Sequence, residues 1–136
     1  MSASGQPLEA TTVLTVSAPA AGSDWTTTLT APGTVMSVAA NFSASAVVAS
    51  RVPRLRLVDA SAHVIWQAPV NTVLAASSNN GIVWGPGLTN IGLGGVVTQP
   101  LPSGVVFGVG WILSVSTANI DVGDQWANIV ITLDNR

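Results

Sequence analysis

Apolar residues recur at every second position through most of this chain, and Gly, Pro, Asn and Ser interrupt them at short intervals. Side chains alternate between the two faces of a strand, so a period of two marks segments with one buried face and one wet face. Arg54-Leu55-Arg56-Leu57-Val58 is the clearest case, with charge on one side and leucine on the other. Asp59-Ala60-Ser61-Ala62 supplies turn residues, and residues 63–67 return with Val64 and Trp66 facing inward. The pattern predicts a β-hairpin. Pro53 has no N–H to give a ladder, which places it at a strand start or on an edge.

The same alternation predicts strands at residues 11–17, 24–30 and 34–44. Trp25, Thr27 and Leu29 share a face in the second, and Val38, Ala40 and Phe42 in the third. Pro32-Gly33 is the turn between them. Ser77-Ser78-Asn79-Asn80-Gly81 is a polar turn before a short strand at 82–84, which Gly85-Pro86-Gly87 ends. Residues 88–104 are rich in Gly and Pro, with brief extended pieces at 91–93 and 96–99. Apolar strands at 105–109 and 111–117 follow, then a loop at 121–124. The closing strand, 125–133, sets Trp126, Asn128, Val130 and Thr132 against Ala127, Ile129, Ile131 and Leu133. No segment keeps a helical stripe. About eight to ten strands at this spacing predict a single all-β domain, an antiparallel sandwich, over residues 11–136. Residues 1–10 read as a flexible N-terminal arm.

Charge narrows what such a sandwich can do. Charged residues are 7% of the chain, against roughly 25% in ordinary soluble domains. There is no Lys, Cys or Tyr, and the ionisable set is four Arg, one His and six carboxylates. A protein soluble on its own normally surrounds itself with charge, so the inventory points to a structural or interaction protein. The net charge of −2 argues against nucleic acid, whose binding needs clustered cations, and against a basic membrane patch. Without Cys there are no disulfides and no thiolate metal sites, and no cofactor motif is present. A core needs no such staple at this length, because a chain of 136 residues can bury roughly 68% of its unfolded surface. The first residues lack a basic start and apolar run. The longest apolar stretch, 105–113, is about half of a ~20-residue membrane span. Synthesis in a cytoplasm without export is the expectation.

Few residues carry chemistry. His63 is the sole imidazole and has no nucleophile-elbow context, so it reads as a partly exposed residue beside a turn. Asp121 and Asp124 are the best carboxylate pair. Two acids are too few for a cation site and lack the supporting groups of a glycosidase, so the pair reads first as loop chemistry. No catalytic, metal or cofactor-binding residue is assigned. Arg54 and Arg56 lie two apart on a strand, hence on one face, where they can clasp an acidic neighbour or simply be solvated. The five Trp read mainly as core or subunit contacts, a sugar-stacking platform being the alternative. Trp84, set between glycines, is the one expected to be exposed. Arg54, Arg56 and Trp84 are the candidate partner contacts.

Several sequence words then fall in a recognisable order: Ser37-Val38-Ala39-Ala40-Asn41-Phe42-Ser43, Ser50-Arg51 leading into Arg54-Leu55-Arg56-Leu57-Val58-Asp59, and Val64-Ile65-Trp66-Gln67-Ala68-Pro69. Trp84-Gly85-Pro86-Gly87-Leu88, Leu101-Pro102-Ser103-Gly104, Ser114-Val115-Ser116, and Ile120-Asp121 with Asp124 complete the series. Together they resemble small all-β structural proteins of tailed bacteriophages, from the head and head–tail genes. The resemblance implies a jelly-roll-like sandwich, or an immunoglobulin-like one. It implies a virion component on the capsid exterior, made in the host bacterial cytoplasm: a cement (decoration) protein at capsomer junctions. The expected partners are the major capsid protein and further copies of the chain, as a homotrimer. Thr26, Thr27 and Thr28 are expected to offer a strand along a neighbour. A tail or fibre module that binds host glycan, a head–tail connector accessory, and a small glycan-degrading enzyme using Asp121 and Asp124 are the alternatives.

Overall fold

The computed structural model describes residues 11–135, so the expected arm at 1–10 lies outside the described residues. Eleven strands form: β1 (Thr11–Val16), β2 (Thr26–Thr28), β3 (Gly33–Ser43), β4 (Val52–Val58), β5 (Val64–Pro69), β6 (Asn79–Gly85), β7 (Ile91–Leu93), β8 (Val96–Pro100), β9 (Val106–Phe107), β10 (Ile112–Ala118) and β11 (Gln125–Asp134). One sheet runs β1-β11-β3-β6-β8-β7, with β9 pairing the start of β3, and the other runs β2-β10-β4-β5. The pairs nest: β4 with β5, β3 with β6, β2 with β10, β1 with β11. That nesting is a long antiparallel ribbon rolled over so that alternate arms fall in opposite sheets. It is the jelly-roll order, with β7, β8 and β9 inserted before β10. The immunoglobulin-like alternative does not fit it.

The alternation that predicted the hairpin holds along β4 but not at the start of β5. Val64, expected inward, is 42% exposed, because a register shift opposite Leu57 and Val58 adds a residue between it and Trp66. Leu55 and Leu57 are fully buried, and Arg54 and Arg56 face out. Arg56 pairs Gln67, and Leu57 pairs Trp66. Pro53 is the second residue of β4. The core fills the space between the sheets with Val38, Phe42, Ile82, Trp84, Trp126, Ile129 and Ile131 from one side, and Leu55, Leu57, Leu113 and Val115 from the other. The Phe42 and Trp126 rings meet edge to face, with centroids 4.8 Å apart, an arrangement their quadrupoles favour.

Two further expectations need correcting. Trp126 does not share a face with Val130 and Thr132: it is buried with Ile129, Ile131 and Leu133. A bulge between Ala127 and Val130, with Asn128 at φ 51°, inserts a residue and resets the alternation. The sandwich is not antiparallel throughout, because β6 and β8 run parallel. Here β7 turns back on β8 through Gly94 and Gly95, both at positive φ (65° and 83°). These are the dihedral signs of a two-residue I′ hairpin, which glycine adopts without strain. The Thr26–Thr28 segment pairs β10 on one side and forms an edge of the four-stranded sheet.

Candidate functional site

The outward face of the four-stranded sheet carries both candidate arginines. β4 is an interior strand between β10 and β5, so Arg54 and Arg56 project from the middle of the face rather than from its rim. Ser116 pairs Arg54 and Ser114 pairs Arg56 on one side, with Pro69 and Gln67 opposite them on the other. Both arginines are half-buried, with their stems lying along the sheet. Neither Nε has a hydrogen-bond acceptor among the described residues. The ion pairs found there are Arg51–Asp124 and His63–Asp59, so no described carboxylate bridges Arg54 or Arg56.

Arg51 behaves differently. It is fully buried, and its Nε donates to Asp124 Oδ2 at 2.6 Å. The guanidinium also donates to the carbonyls of Ala49 and Val47 and to Ser45 Oγ. Asp124 accepts from the backbone N–H groups of Ser45 and Asp121, and Asp121 accepts from Ser45 Oγ and Gly123 N–H. The result ties the β3–β4 loop to the β10–β11 loop at one end of the sandwich. Burial alone would raise the Asp124 pKa, but Arg51 and the two N–H donors outweigh it and hold the carboxyl below its ordinary range. The Ser45 hydroxyl, followed by the Gly123 N–H, holds Asp121 down as well. The carboxylate pair is therefore committed to structure. No group of three or more metal-ligating side chains occurs among the described residues.

Asp24 makes a second tie that the sequence did not reveal. It accepts from the N–H and hydroxyl of Thr117 on β10 and from Trp126 Nε1 on β11, so it joins the two sheets. A signal for Arg51 did exist. It has the same strand parity as the inward Pro53, Leu55 and Leu57, opposite to that of Arg54 and Arg56.

Trp84 is not exposed. Its side chain is fully buried, and its indole N–H donates to Ala68 O across the sandwich at 2.8 Å. Of the flanking glycines, Gly85 is closely packed, since a Cβ there would lie 3.2–3.3 Å from Leu88 and Met36, while Gly87 takes a positive φ of 78° with open space around it. Trp25 and Trp126 are also buried, while Trp66 and Trp111 pack against the core. The five indoles form no surface platform. His63 is exposed and faces Asp59 Oδ2 at 3.2 Å. A groove of about 180 Å³ between residues 72–75 and the β7–β8 turn has no titratable side chain in its lining.

No protein-family model matches the chain, and no curated protein matches it. Among solved structures it is similar to a chain in the structure of infectious bursal disease virus, Gx strain, at 11% identity and a TM-score of 0.34. The similarity covers 95% of this chain and 40% of that one.

Proposed function

We propose that this protein is a structural component of a tailed-bacteriophage virion: a cement protein on the capsid exterior that binds the major capsid protein and stabilises the head. One observation carries the reading. The surface displays large aliphatics such as Val48 (90% exposed) and Val122 (84%), whereas the described carboxylates have partners within the chain. A surface rich in apolar side chains and poor in free charge suits a subunit that is covered in its working state. The jelly-roll order agrees with a shell protein, as an analogy of fold only. Several copies of the chain, in a trimer, would cover part of the apolar surface, and the shell would cover another part.

Immunogold labelling of particles from the phage that encodes the chain tests this. Gold scattered over the heads is the expected result. Gold confined to the neck or tail tip would replace the reading with a connector or adhesion role, and unlabelled particles would remove the virion assignment.

A further inference from the structure

We propose that the outward face of the β2-β10-β4-β5 sheet docks an extended acidic segment of a different protein, with carboxylates at alternate positions seated on Arg54 and Arg56. This deepens the reading of the chain as a virion subunit and rests on it for the partner's presence, but the chemistry of the face stands on its own geometry. Arg54 and Arg56 are two residues apart on a strand, which separates their Cα atoms by roughly 7 Å along one face. Acidic residues at positions i and i+2 of an extended partner have the same spacing and also share a face. Each guanidinium can then take one carboxylate side-on through two N–H groups. The surroundings suit that use. Ser114, Ser116 and Gln67, on the strands flanking β4, are short or neutral polar side chains, and no acidic residue lies on β10, β4, β5 or β2. The Nε atoms are shielded from water without an acceptor among the described residues. A carboxylate that drew the side chains off the sheet would supply one.

Charge complementarity also says what the partner is not. Asp24, Asp59, Asp121 and Asp124 are all engaged by groups of their own chain, and Asp134 has a partner too. The carboxylates among a second copy's described residues are therefore already engaged, which favours a different protein as the occupant. Self-association is left to the apolar surface. Two cations on a chain of net charge −2 are also far short of the phosphate contacts that hold a nucleic acid.

The test is a titration of the ¹⁵N-labelled full chain with the peptide Asp-Thr-Asp-Thr-Asp, reading the Arg Nε–Hε signals. The signals of Arg54 and Arg56 should move and saturate. Affinity should fall by about tenfold or more in Arg54→Ala/Arg56→Ala, and less in Arg54→Lys/Arg56→Lys, which keeps charge and loses the planar fork. A peptide of the same composition with its three Asp adjacent should bind more weakly. Unmoved Arg54 and Arg56 signals would overturn the proposal, as would equal binding of the adjacent-Asp peptide or tighter binding of a DNA duplex. Shifts of those signals on diluting the chain alone would also overturn it, since a second copy would then occupy the face. Because the titration needs only the folded chain, its outcome is independent of where gold labels the particle.

Discussion

Arg51 and Asp124 are held out of water together, an arrangement whose desolvation cost is offset only when hydrogen bonds complete both groups. Here they do: the guanidinium reaches a carboxylate, a hydroxyl and two carbonyls, and the carboxylate takes two backbone N–H groups as well. Replacing Arg51 by Met leaves Asp124 charged and buried. The expected loss is about 3–5 kcal/mol of unfolding free energy by urea denaturation; a loss below ~1 kcal/mol would mean that the pair is open to water. The same carboxylates set the acid limb. Asp124 and Asp121 have folded pKa values below their ordinary 3.8, so their stabilisation is fully present above the unfolded value and disappears as pH falls through it towards the folded one. The thermal midpoint should be level down to about pH 5 and drop below about pH 4. An unchanged midpoint at about pH 3 would contradict this.

At the scale of elements, β11 depends on its bulge. With Asn128 at φ 51° and the register shifted between Ala127 and Val130, Trp126 and Ile129 both reach the core. Asn tolerates the left-handed region better than most residues, and its amide here donates to Asn41 Oδ1 on β3 at 3.0 Å. Val at position 128 loses that bond and strains against the backbone, so Asn128→Val should cost about 1–2 kcal/mol or more. Asn128→Gly also loses the bond but relieves the dihedral, and should cost under about 1 kcal/mol. Paired thermal melts of the two variants check the order. Equal losses would show that the hydrogen bond, not the dihedral, is what matters. This bulge is also why the face assignment of residues 126–132 was not legible: period-two reading assumes an unbroken pleat, and one inserted residue inverts everything before it.

For the whole molecule, the unresolved demand is the surface. Val48, Val122, Val106 and Val109 are more than half exposed, around a core that is already closed between two sheets. On the virion reading, a free chain in solution should associate. Multi-angle light scattering at micromolar concentration is expected to give a mass several times that of one chain, a trimer on the reading above. A well-behaved monomer would remove self-association from the account.

The sequence alone determined the strand class, the Arg54–Gln67 hairpin with its inward leucines, and the outward placement of Arg54 and Arg56. Each follows from local alternation and turn chemistry, which act over a few residues. Tertiary structure decided the rest. Nothing local marks Trp84 as buried, because its exposure depends on β3 and β8 lying beside β6 and on Ala68 crossing from the other sheet. The Arg51–Asp124 pair joins residues 73 positions apart. The nested strand order likewise exists only once distant segments pair. Those contacts are set by which surfaces meet when the ribbon rolls up, and no window of neighbouring residues contains that information.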